Sequence, residues 1–88
     1  MKHKLKGNYE REREVWLDGE RLDPKPSQKY HNHSPDGFNW GYLGSGCAQL
    51  ALAIMLKLTG EAVGYQMFKE KVIAGLPQGE SFEIEFEL

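Results

Sequence analysis

The sequence predicts an α+β domain spanning residues 1–88, with a small antiparallel sheet of N-terminal strands, a hairpin and a C-terminal strand packed on two helices. Three observations predict it. The tail alternates strictly, with Phe82, Ile84, Phe86 and Leu88 on one side and Glu83, Glu85 and Glu87 on the other, the period of a half-buried strand. Lys2, Lys4 and Lys6 alternate in the same way at the opposite end of the chain. Between these ends, Cys47–Leu58 is apolar at almost every position with helical spacing.

Each element follows from its residues. Lys2–Lys6 reads as a strand, Gly7-Asn8 as a bend, and Tyr9–Leu17 as a second strand whose Val15-Trp16-Leu17 end is held by the core. Asp18-Gly19 is the pair favoured in a two-residue type I′ turn, where both positions need positive φ, so Glu20–Leu22 returns as a short arm. Asp23–Pro35 holds three of the four prolines without apolar periodicity and reads as an irregular surface connection. The main helix starts with Gly46 as N-cap, or Ser45 as the alternative, and ends at Thr59-Gly60. A second helix, Glu61–Ala74, carries Tyr65, Phe68, Val72 and Leu76 on one side and stops at Gly75 in the C′ position, before Leu76 and Pro77. The tail pairs with the first strand, because its outward glutamates need the lysine face as a complement.

Around the main helix, only Gln49, Ala53 and Lys57 are left for water. A helix covering one layer needs an apolar stripe of about 100°. The excess predicts a homo-oligomer joined through Cys47–Leu58, and leaves Leu52 and Leu56 as an exposed arc.

Composition narrows the function. Eleven basic against thirteen acidic residues give a net charge of −2, so nucleic acid is not an expected partner. One cysteine excludes an internal disulfide and fits a reducing compartment. The opening MKHKLKGNYERERE lacks an apolar signal core, and the longest apolar run, Leu50–Leu56, falls short of the ~20 residues that span a bilayer, so a cytoplasmic protein without a membrane partner is expected.

The segment with most chemical promise is Phe38–Gly46, an aromatic and glycine-rich loop that opens the main helix. Glycines let a ligand approach the backbone, and free amides at a helix start favour an anion. The spacing matches neither a P-loop nor a dinucleotide fingerprint. Trp40, Tyr42, Gly44, Ser45, Gly46, Cys47 and His33 are the candidate ligand-binding residues. Cys47 in a first helical turn, with His33 and Asp36 upstream, has the residue types of a thiol hydrolase. A small buried thiol is the commoner role of a lone cysteine, and the sequence leans away from an enzyme, with no catalytic residue assigned. His31-Asn32-His33 with Asp36 lacks a third strong ligand nearby, so no metal and no cofactor is assigned.

The run His33-Ser34-Pro35-Asp36-Gly37-Phe38-Asn39-Trp40-Gly41-Tyr42, then Gly44-Ser45-Gly46, then Ala48-Gln49-Leu50-Ala51-Leu52-Ala53, resembles a family of short phage and prokaryotic proteins of unassigned function. Its pattern is H-S-P-x-G-F-x-W-G-Y-x-G-S-G-P-A-Q-L-A-L-A, and the resemblance extends over about Val15–Pro77, including Phe68-Lys69. Proline in that pattern falls at Cys47 here. Proline is a common first helical residue, which supports Gly46 as cap and counts against Cys47 as a shared nucleophile. The resemblance implies a phage-like setting and no particular activity.

The leading expectation is a non-enzymatic binding protein that holds a phosphate-containing, nucleotide-like small molecule at the Leu43–Cys47 amides, with Trp40 or Tyr42 over its base or sugar. The alternative is a protein–protein module, such as an inhibitor of a host enzyme or defence protein, contacting through Leu52, Leu56 and the aromatic loop.

Overall fold

The computed structural model describes residues 1–88. Its four strands are β1 (Lys2–Asn8), β2 (Glu14–Leu17), β3 (Glu20–Arg21) and β4 (Phe82–Glu87). They form one antiparallel sheet in the order β3-β2-β1-β4. The predicted pairing of the two ends holds residue by residue: Lys2 lies opposite Glu87, Lys4 opposite Glu85 and Lys6 opposite Glu83. That register turns Leu5, Ile84, Phe82 and Phe86 to the core side, because neighbouring residues on a strand face opposite ways. The Asp18-Gly19 turn also forms as expected, with φ of 52° and 84°. Asp18 caps it by accepting from the Lys4 amide at 2.9 Å and contacting His3 Nδ1 at 2.7 Å.

Two expectations about this sheet are corrected. Gly7 does not bend the chain; it lies within β1, opposite Val15 and Phe82. A Cβ there would stand 2.9 Å from the Trp40 ring and closer still to Phe82. Glycine leaves the space that both rings fill. The second strand starts at Glu14 instead of Tyr9. Glu12 and Arg13 both take left-handed backbone, φ 57° and 56°, a conformation that costs non-glycine residues about 1–3 kcal/mol each. The alternating charges of Glu10–Glu14 offered nothing for a core to hold, and the Arg13 Nε–H instead donates to the Phe38 carbonyl at 2.8 Å.

The helical layer departs further from expectation. Within the supposed irregular connection stands α1 (Lys25–Tyr30), its prolines confined to the N-terminal end where no amide hydrogen bond is lost. The main helix, α2 (Ser45–Thr59), has Gly44 as N-cap, two residues before the expected Gly46, and ends at left-handed Gly60 as expected. A third helix starts only at Tyr65, after left-handed Gly64. This α3 (Tyr65–Phe68) runs into a π-helical segment, Lys69–Ile73. In that wider turn residues five apart align, so Ile73 follows Phe68 into the core and Val72 is left half-buried. Gly75 is not left-handed, so the expected C′ role is absent.

These additions change the reading of α2. From Gly46 to Ile54 every residue is buried, Gln49 and Ala53 included. One face joins Leu5, Val15, Leu17, Phe82 and Phe86 in a single core cluster, and α1, α3 and the π segment pack alongside the helix. The apolar excess is covered within the chain, which removes the argument for a homo-oligomer through Cys47–Leu58. No helix is long and apolar enough to cross a membrane.

Candidate functional site

Gln49 is the organising side chain of the region. It is 0% exposed, yet all its polar capacity is used. Its Oε1 accepts from the amides of His33 and Ser34 at 2.8 and 3.0 Å, while Nε2 donates to Ser27 Oγ at 2.8 Å and the His31 carbonyl at 3.2 Å. Ser27 in turn donates to the Pro24 carbonyl at 2.7 Å. One buried amide thus ties α1 and the His31–Ser34 segment to α2. Sequence reasoning assigned Gln49 to solvent. The signal against that was a lone polar residue among apolar neighbours on every helical face.

His33 belongs to the same cluster. Its ring stacks on His31 with centroids 4.0 Å apart, and Nε2 lies 2.8 Å from the Tyr65 hydroxyl. Desolvation, then the charges of His31 and Lys69, hold its pKa below the usual histidine value of 6.5. Asp36 lies elsewhere, on a hollow of about 480 Å³ shared with Arg13. Cys47 is sealed in the core as a free thiol. The Cys47 thiol is closed to a substrate and His33 Nε2 is engaged by Tyr65, and no three His, Cys, Asp or Glu side chains meet in metal-binding geometry.

The loop that opens α2 divides into a closed and an open part. Trp40 is 0% exposed, donates its Nε1–H to the Glu80 carbonyl at 2.8 Å, and meets Phe82 edge-on with centroids 4.8 Å apart. It is a core residue and cannot cover a ligand. Gly46 is buried against Asn39, whose amide donates to the Gly46 carbonyl at 3.1 Å; a Cβ on Gly46 would stand 2.7 Å from the Asn39 Cβ. The Gly41 amide donates to the Ile73 carbonyl at 2.9 Å, fastening the loop to the π segment.

The open part is the backbone itself. The first helical hydrogen bond runs from the Ala48 amide to the Gly44 carbonyl at 3.0 Å. The amides of Leu43, Gly44, Ser45, Gly46 and Cys47 have no acceptor in the chain, and no side chain caps the helix. Gly46 and Cys47 are buried, which removes them from the expected ligand-binding set, and the amides of Leu43, Gly44 and Ser45 are left at the surface. No acidic residue occupies the first turn to offset the positive end of the dipole. Ser45 and Tyr42 are exposed beside these amides, with the Tyr42 ring lying over Gly44. Chemically, the arrangement offers N–H donors and a partial positive charge to one anionic group. Its surface is shallow, since none of the five principal hollows is lined by a residue between Asn39 and Leu52.

Residues 5–87 match the model of a Family of unknown function (DUF6166), and the chain belongs to that family, in keeping with the resemblance carried by its central motif. No curated protein and no solved structure matches the chain.

Proposed function

We propose that this family member is a non-enzymatic binding protein that takes an anionic, phosphate-bearing small molecule on the Leu43–Ser45 amides. The observation that carries this reading is the run of backbone N–H groups without an intrachain acceptor at the start of a 15-residue helix. Ser45 adds a hydroxyl, and Tyr42 is the aromatic residue placed to lie beside a base or sugar. Trp40 is excluded from that role by its burial. His33 acts only through Gln49 and Tyr65, as a support of the loop. The cytoplasmic, phage-like setting expected from the sequence belongs to the same reading.

The competing reading, a protein–protein module using Leu52 and Leu56, loses that surface. Leu52 is fully buried and Leu56 is half-buried over α1.

Thermal shift and calorimetric titrations with inorganic phosphate and with nucleotides test the proposal. A single anion at a helix start is worth about 0.3–1 kcal/mol when exposed, so binding is expected to be weak and to fade with salt. Ser45→Asp places a carboxylate where the anion would sit and should abolish binding. Ser45→Pro removes one free amide at the first helical position, where proline is tolerated, and Gly44 before it is already extended. If both variants bind as wild type does, the site is refuted.

A further inference from the structure

On the corner opposite in character to that loop, the π segment, α3 and the end of β4 enclose an apolar hollow of about 240 Å³. Met55, Met67, Val72 and Leu88 line it, with the edge of Phe68 beneath. Exposed apolar residues gather around it: Met67 is 58% and Leu88 47% exposed, and Val63, next to the lining residue Gly64, is 80% exposed. Met1 joins them, because its amino group donates to the Leu88 carbonyl at 2.9 Å and its carbonyl accepts from the Leu88 amide at 3.1 Å. Exposed apolar side chains gathered around one hollow suit an interaction site, and methionines favour it by adapting their shape to a partner.

The rim indicates which partner. Lys71 and Glu87 both line the hollow. Lys71 has no ion-pair partner in the chain, and Glu87 has only a 3.9 Å contact with the amino terminus. One cation and one anion on the rim of a single apolar floor are self-complementary under a 180° rotation, the relation that governs two-fold interfaces. The exposed edge of β4 is not the alternative route. Pairing β4 with its own copy would bring the Glu83, Glu85 and Glu87 stripes together as like charges.

We propose that this hollow is the contact between two copies of the chain, the apolar floors meeting at a two-fold axis and Lys71 of each copy facing Glu87 of the other. The site shares no residue with the α2 amides, so either stands if the other fails. It also places self-association chiefly on α3, the π segment and β4, with α2 contributing only Met55.

Sedimentation velocity and native mass spectrometry of the full chain over a concentration series provide the test. Wild type should show a concentration-dependent dimer. Met67→Lys, at an exposed position, should be a folded monomer, with circular dichroism as the check on folding. Lys71→Glu and Glu87→Lys should each weaken the dimer about tenfold or more through paired like charges. An equal mixture of these two variants should restore it, since each repulsive contact then becomes an attractive one. A wild type that stays monomeric at every concentration overturns the proposal, as does a dimer insensitive to Met67→Lys or a mixture of the charge variants that fails to restore association.

Discussion

Two corners of this molecule treat their chemistry in opposite ways. The loop and first turns of α2 look rich in function, with tryptophan, glycines, a cysteine and a glutamine, yet most of these groups are consumed internally. Trp40 and Cys47 are sealed in the core, and Gln49 makes four hydrogen bonds without exposing any surface. The segment from Val63 to Val72 is undistinguished in sequence, yet it leaves methionine and valine in water beside unpaired Lys71. Distinctive residues here mark what the fold needs, while the open surface is made by ordinary ones. Only the backbone amides of Leu43–Ser45 break that division.

Removing the most deeply used residue should break the contrast hardest. Trp40→Ala deletes a fully buried indole that fills the space over Gly7, and should cost about 3–5 kcal/mol. That is a large share of the stability of a domain this small, visible as a steep fall in denaturant midpoint. Gln49→Leu keeps the volume but strands the amides of His33 and Ser34, and should cost about 2–3 kcal/mol. Loss of protection at those two amides in hydrogen exchange would locate the damage.

Acidification probes the same cluster more gently. The folded-state pKa of His33 lies below its unfolded value of 6.5, so the unfolded chain binds more protons in the window below 6.5. Stability should therefore be complete above that pH and decline as pH falls through the window. His33→Gln should flatten this part of the stability–pH curve, as measured by urea unfolding at several pH values.

Smaller effects are expected where the backbone is unused or the side chain exposed. Cys47→Pro removes an amide with no acceptor in the first helical turn and should change stability by no more than about 1 kcal/mol. Proline at this position, expected from the resembling pattern, fits the third helical residue that Cys47 occupies and not the first. Met67→Lys should leave monomer stability within about 0.5 kcal/mol of wild type.

These contrasts show why some of the structure was legible in the sequence. Local and pairwise rules worked: the lysine and glutamate stripes indicated the β1–β4 pairing, Asp18-Gly19 marked a turn, and Gly60 marked a helix end. Features that exist only through distant partners were hidden. Helix α1 forms where three prolines suggested irregularity, because Ser27 is held by Gln49. Glycine at position 7 suggested a bend until Phe82 and Trp40 were seen to occupy the missing side chain's space. The π segment shifts the buried side from Val72 to Ile73, a change no 3.6-residue period could reveal. At the candidate site, the free amides were foreseen but Trp40, counted among the ligand-binding candidates, is buried; aromatic residues in a glycine-rich loop give no local sign of whether they pack inward or face a ligand.

Central to this account is a binding surface made of backbone and not of tryptophan. An inorganic phosphate titration of isotopically labelled protein reads both at once, through the amide resonances of Leu43–Ser45 and the Trp40 indole N–H. Saturable shifts confined to those amides, with the indole held in place by the Glu80 carbonyl, are the expected result. An indole that moves while the three amides stay fixed would contradict it.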